Sequence, residues 1–75
     1  MKFNLFQSKE EDSYLYLPVD DNYQKKLENN KKITPDLEFV FSCEVKTYSE
    51  AMQRYYDFAG FGTYFLEGED IIYNV

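Results

Sequence analysis

The residues best suited to chemistry are carboxylates late in the chain. Glu67, Glu69 and Asp70 bracket Gly68. Oxygen ligands at that spacing can hold a divalent cation, but the alternating ligands and closing Glu of a twelve-residue calcium loop are missing. The pattern predicts a solvated acidic turn, with no metal and no other cofactor. Asp20 and Asp21 need no ligand either, because the positive end of a helix dipole favours acids at its N-terminus. Two carboxylates can also act as an acid and base pair, yet such a pair needs a cleft that a chain this short rarely builds. Cys43 is a nucleophile only if its pKa is lowered. It lies in phase with Phe41 and Val45, which predicts a small buried core residue. The chain contains no His, which removes the commonest general base, the Ser-His and Cys-His pairs, and most zinc and haem sites. Gly60, Gly62 and Gly68 do not make a phosphate-binding loop, since no Lys-Ser/Thr follows them. These residues predict a protein that is not an enzyme.

What remains is charge and tyrosine. The net charge is -6. Residues 33–75 hold Asp36, Glu38, Glu44, Glu50, Asp57, Glu67, Glu69 and Asp70 against only Lys46 and Arg54. Lys25, Lys26, Lys31 and Lys32 form the one basic cluster. Interleaved with acids, they read as a solvated helix face and loop, so direct nucleic-acid binding is not expected. Carboxylates on one face speed and select the encounter with a basic partner, and Tyr anchors interfaces at low entropy cost. The expected partner-binding residues are therefore Glu38, Glu44, Tyr48, Glu50, Tyr56, Asp57, Glu67, Glu69 and Asp70. The alternative is that the acidic balance serves solubility alone.

These residues must be positioned by one small domain, residues 1–75. A chain of this size is marginal unless its core is dense, and fifteen aromatics (eight Tyr, seven Phe) supply that density with a surplus for the surface. No apolar run approaches a membrane span, the opening Met1-Lys2-Phe3-Asn4-Leu5-Phe6-Gln7 lacks a signal-peptide core, and one Cys fits a reducing compartment. A cytoplasmic protein is the expectation.

The clearest element is Leu37 to Val45, where Leu37, Phe39, Phe41, Cys43 and Val45 alternate with Glu38, Val40, Ser42 and Glu44. Period two predicts a strand with one apolar face that anchors the core. Thr47-Tyr48-Ser49-Glu50 fits a capping box. Met52, Tyr55, Tyr56 and Ala59 then mark a helical face that ends at Gly60. Thr63–Leu66 and Ile71–Val75 read as strands of a closing hairpin. Earlier, Lys2–Gln7 and Tyr14–Leu17 read as strands, and Asn22–Asn29 as a short helix capped by Asp21. The expected fold class is α+β, a mixed α/β sandwich: a largely antiparallel sheet of about five strands, two helices on one face, order ββαβαββ.

Leu5-Phe6-Gln7-Ser8, a polar loop, and Tyr14-Leu15-Tyr16-Leu17 resemble the opening of the YcgL-like family of small bacterial proteins. Asp20-Asp21, Glu38-Phe39-Val40-Phe41 and Gly62-Thr63-Tyr64-Phe65-Leu66 fall at compatible spacings, while Gly60-Phe61-Gly62 departs from that family's Gln-flanked segment. The resemblance implies the same mixed α/β fold and no established catalytic residues.

The expected function is that of a small non-enzymatic acidic protein, bacterial or phage, that binds a basic protein partner. An immunity protein or inhibitor of a basic nucleic-acid-handling enzyme fits the size and charge. The alternative is a housekeeping module forming a homo-oligomer, a homodimer being the simplest case.

Overall fold

The structure is a computed structural model and describes residues 1–73. The elements are β1 (Lys2–Ser8), β2 (Ser13–Pro18), α1 (Tyr23–Ile33), β3 (Glu38–Glu44) and α2 (Tyr48–Ala59). The three strands form one antiparallel sheet in the order β2-β1-β3. The fold is α+β, as expected. The described residues hold three strands rather than five, however, in the order ββαβα.

Residues directly opposite on neighbouring strands share a face. Phe3 with Pro18 and Cys43, and Leu5 with Tyr16 and Phe41, define one face. Asn4 with Leu17 and Ser42, and Phe6 with Leu15 and Phe39, define the other. α2 covers the first face: the Tyr16 hydroxyl donates to the Ala51 carbonyl at 2.6 Å, and Phe41 meets Phe58 at 5.5 Å between ring centres. α1 covers the second: Leu27 packs on Phe6 and Leu17, and Asn4 Nδ2 donates to the Tyr23 hydroxyl at 2.9 Å. The expectation of two helices on one face is therefore corrected to a helix, a sheet and a helix in three layers.

This layering explains why β1, not Leu37–Val45, is the core strand. Phe3, Leu5 and Phe6 are all buried, because a central strand between two helices must be apolar on both faces. The register of β3 against β1 shifts between Leu5 and Phe6, so that Leu5 faces Phe41 and Phe6 faces Phe39. Val40 is the extra residue of a β-bulge, and one extra residue reverses every side chain beyond it. Phe41, Cys43 and Val45 therefore turn toward α2, and Leu37 and Phe39 toward α1. Phe39 remains 59% exposed, against the expected inward orientation.

The α2 signals behave as read. Thr47 Oγ1 accepts from Glu50 N at 3.2 Å, and Gly60 takes the left-handed conformation (φ 75°) that ends the helix. The Glu50 carboxylate reaches back to Lys46 N rather than to Thr47 N. α1 begins without a side-chain cap; Asp20 Oδ1 instead accepts from Asn22 N, one residue position away from the expected Asp21 cap.

The closing hairpin is not formed among the described residues, and Asn74 and Val75 of its second strand lie outside them. The Gln53 side chain takes the backbone groups that a strand would use: Oε1 accepts from Tyr64 N at 2.8 Å and Nε2 donates to the Gly62 carbonyl at 3.1 Å. Tyr64 then packs on Tyr56. Further on, the chain returns to α2's start through one bridge, Thr47 to Ile72, with Tyr48 N donating to the Ile71 carbonyl and Tyr73 N to that of Lys46.

Candidate functional site

A groove of about 430 Å³ lies between the β2 side of the sheet and α2. β2 contributes Tyr14, Tyr16 and Pro18, which alternate onto the α2 face, and β1 contributes Phe3. α2 contributes Tyr48, Met52 and Tyr55, whose spacing of four and three keeps them on one helical stripe. The returning chain closes one end with Ile71 and Tyr73. α2 lies over β3 and reaches the β2 half of the same face through side chains, with Tyr55 and Phe58 meeting Tyr14 and Tyr55 meeting Tyr16.

The floor is rigid. Tyr16 stacks on Tyr55 at 5.4 Å and on Phe3 at 5.1 Å, and Tyr14 meets Tyr55 edge-on at 5.9 Å. Burial, and then contact with Cys43 Sγ at 3.4 Å, push the Tyr16 phenol well above its ordinary pKa. Cys43 is half-buried rather than fully enclosed. Tyr73 is likewise raised, by burial first and then by Tyr48 and Asp70.

Asp70 stands at the groove's end. It accepts from Ser49 N at 3.0 Å, from the Ser49 hydroxyl and from Ile71 N at 2.9 Å, and the Ser49 hydroxyl in particular holds its carboxyl below the usual range. This acid therefore satisfies a free N–H in the first turn of α2 and sits at the positive end of that helix.

The other expected site residues are not brought together. Glu38 pairs with Gln7 and Glu44 with Lys2, so the bulge sends them to opposite faces and opposite ends of β3. Glu44 also lies 3.3 Å from the Met1 amino group. Tyr48 lines the groove and half-buried Glu50 sits one turn into α2. Tyr56 faces away, against Phe61 and Tyr64, and Asp57 accepts from Gln53 Nε2 at 2.8 Å. Glu67 and Glu69 are exposed on the strand-free segment leading to Asp70. Among the described residues, no carboxylate forms an ion pair with a lysine or arginine side chain, and no group of three acids, Cys or His could hold a metal. The four lysines of α1 lie on the far side of the sheet from the groove.

Sequence reading missed Phe3, Tyr14, Tyr16, Pro18, Met52, Tyr55, Ile71 and Tyr73. One signal was available: Tyr14 and Tyr16 are two apart on an uncharged strand with acids before and after it. No helix among the described residues is long and apolar enough to cross a membrane. Compared with known proteins, the chain matches no family model, no curated protein and no solved structure. The resemblance to the YcgL-like family rests on its short motifs alone.

Proposed function

We propose that this chain is a non-enzymatic binding module for a basic segment of a partner protein, with the tyrosine groove as its contact surface. The observation that carries the reading is a groove with five tyrosines and Asp70 at its end, a carboxylate that forms no ion pair with a lysine or arginine side chain among the described residues. Tyrosine faces attract cations through their ring quadrupole, and each ring offers a large apolar area at low entropy cost. Asp70, with Glu67 and Glu69 on the same segment, adds steering for a positive ligand. A role as immunity protein or inhibitor of a basic nucleic-acid-handling enzyme is the narrower form of the same proposal. The non-enzymatic part of the proposal rests on the composition, which lacks His, the commonest general base.

The chain has no Trp, so its intrinsic fluorescence reports tyrosine, and five of its eight tyrosines line the groove. Titration with a Lys/Arg-rich peptide should change that signal saturably. The affinity should fall about tenfold or more between roughly 50 and 500 mM salt, because screening shortens the reach of exposed charges. An acidic peptide of equal length should give no response. Equal responses to both peptides, or salt-independent binding, would remove the reading.

A second reading, a homo-oligomer, draws on uncovered apolar side chains: Phe65 is 81% exposed and Ile72 72%. Sedimentation equilibrium separates the two, since a concentration-dependent mass without peptide favours self-association.

A further inference from the structure

The two edges of the sheet are not alike. β3 carries a bulge and a glutamate near each end, devices that guard an edge against added strands. β2 has no bulge and no charged residue. Val19 N donates to the Lys2 carbonyl, which fixes the phase of the ladder: residues 13, 15 and 17 of β2 exchange hydrogen bonds with β1. Tyr14 and Tyr16 therefore turn both N–H and C=O outward, and Pro18 its C=O. Among the described residues these groups have no hydrogen-bond partner. The same three residues send their side chains into the groove.

The charges at the ends of β2 decide what such an edge accepts. Glu10, Glu11 and Asp12 precede the strand, and Asp20 and Asp21 follow it. A second copy pairing antiparallel through Tyr16 opposite Tyr16 would set Asp12 against Asp20 and Glu11 against Asp21, twice over by the two-fold axis. Like charges directly opposite destabilise a strand pair. A strand with cations beyond both ends meets the opposite situation. We infer that β2 takes up an extended basic segment of a partner protein as a fourth strand, paired through Tyr14 and Tyr16, with alternate side chains entering the groove. From Asp12 to Asp20 the span is about 26 Å at strand rise, so the segment carries basic residues about eight positions apart around an uncharged centre. This inference rests on the basic-partner reading above and adds the backbone mode of recognition.

The probe is the peptide Arg-Lys-Thr-Val-Thr-Val-Thr-Val-Thr-Lys-Arg, titrated into the full chain while amide exchange is followed by NMR. Two further versions carry backbone N-methyl groups on alternate central residues, blocking each edge in turn. The expected result is that one methylated version binds about tenfold or more weaker than the parent while the other does not, and that exchange of the Tyr14 and Tyr16 amides slows about tenfold in the parent complex. Equal binding of all three peptides without added protection would overturn strand addition and leave the basic-partner reading standing. Failure of the parent peptide to bind at millimolar concentration would remove both. Protection of Tyr14 and Tyr16 that grows with protein concentration in the absence of peptide would show that a second copy holds the edge, against the inference.

Discussion

Phe39 and Phe41 stand two residues apart on β3 and point to opposite faces of the sheet. Phe41 lies opposite Leu5, beneath α2, whereas Phe39 lies opposite Phe6 and meets its ring edge-on at 5.9 Å on the α1 side. The bulge at Val40 separates two apolar sets that the sequence writes as one stripe. Leu37 packs on one core cluster, and Cys43 and Val45 belong to the other.

Deleting Val40 should therefore be tolerated, because it removes the extra residue and leaves Phe39 opposite Phe6 and Phe41 opposite Leu5. Deleting Ser42 should cost far more, since pairing without the bulge keeps Phe39 opposite Phe6 but turns Phe41 to the other face and sets Val40 opposite Leu5. Circular dichroism and a cooperative thermal transition distinguish the two; loss of folding in both deletions would contradict this account of the bulge.

Leu5→Ala and Phe39→Ala should differ in the opposite sense from their sizes. Leu5 is fully buried on the central strand, so its truncation should cost about 2–5 kcal/mol. Phe39 is 59% exposed, and its loss should cost about 1 kcal/mol or less. Denaturant titration measures both, and a larger loss for Phe39→Ala would show that β3 rather than β1 organises the core.

Tyr16→Phe should destabilise by about 1 kcal/mol at neutral pH, the net value of the bond to the Ala51 carbonyl. It should also flatten the alkaline limb. The Tyr16 phenol is raised in the folded chain, so its contribution is complete below about pH 10 and is lost as pH rises beyond it, where the unfolded state ionises first. A variant with an unchanged alkaline slope would contradict the burial of this hydroxyl.

Asp36 and Asp70 should shape the acid limb. Ser8 Oγ donates to Asp36 Oδ1 at 2.8 Å and Glu10 N to Oδ2 at 3.1 Å, and both acids are held below the ordinary carboxylate range. Their stabilisation is present above about pH 4 and lost as pH falls through their lower folded values. Asp36→Asn and Asp70→Asn should each reduce the dependence of melting temperature on pH between about 2 and 5 while lowering stability at neutral pH. An unaltered acid slope in both would count against these contacts.

Local chemistry was legible wherever it depended on near neighbours. The α2 cap at Thr47, the helix end at Gly60, the strands at Lys2–Ser8 and Ser13–Pro18 and the α+β class all follow from residues within a turn or a pleat of one another. Composition also fixed the acid excess, the surplus aromatics and the want of His. Tertiary structure alone decided which face each helix covers, where β3 changes phase, and that Gln53 takes the backbone bonds a closing hairpin would need. It also dispersed the expected acidic face, because Glu38 and Glu44 diverge across a bulge while Asp70 turns inward to a helix end. Alternation and capping are short-range and recur in any chain with that pattern. The choice of face and the spare edge of β2 depend on which distant segments pair with each backbone group, and no local spacing encodes that.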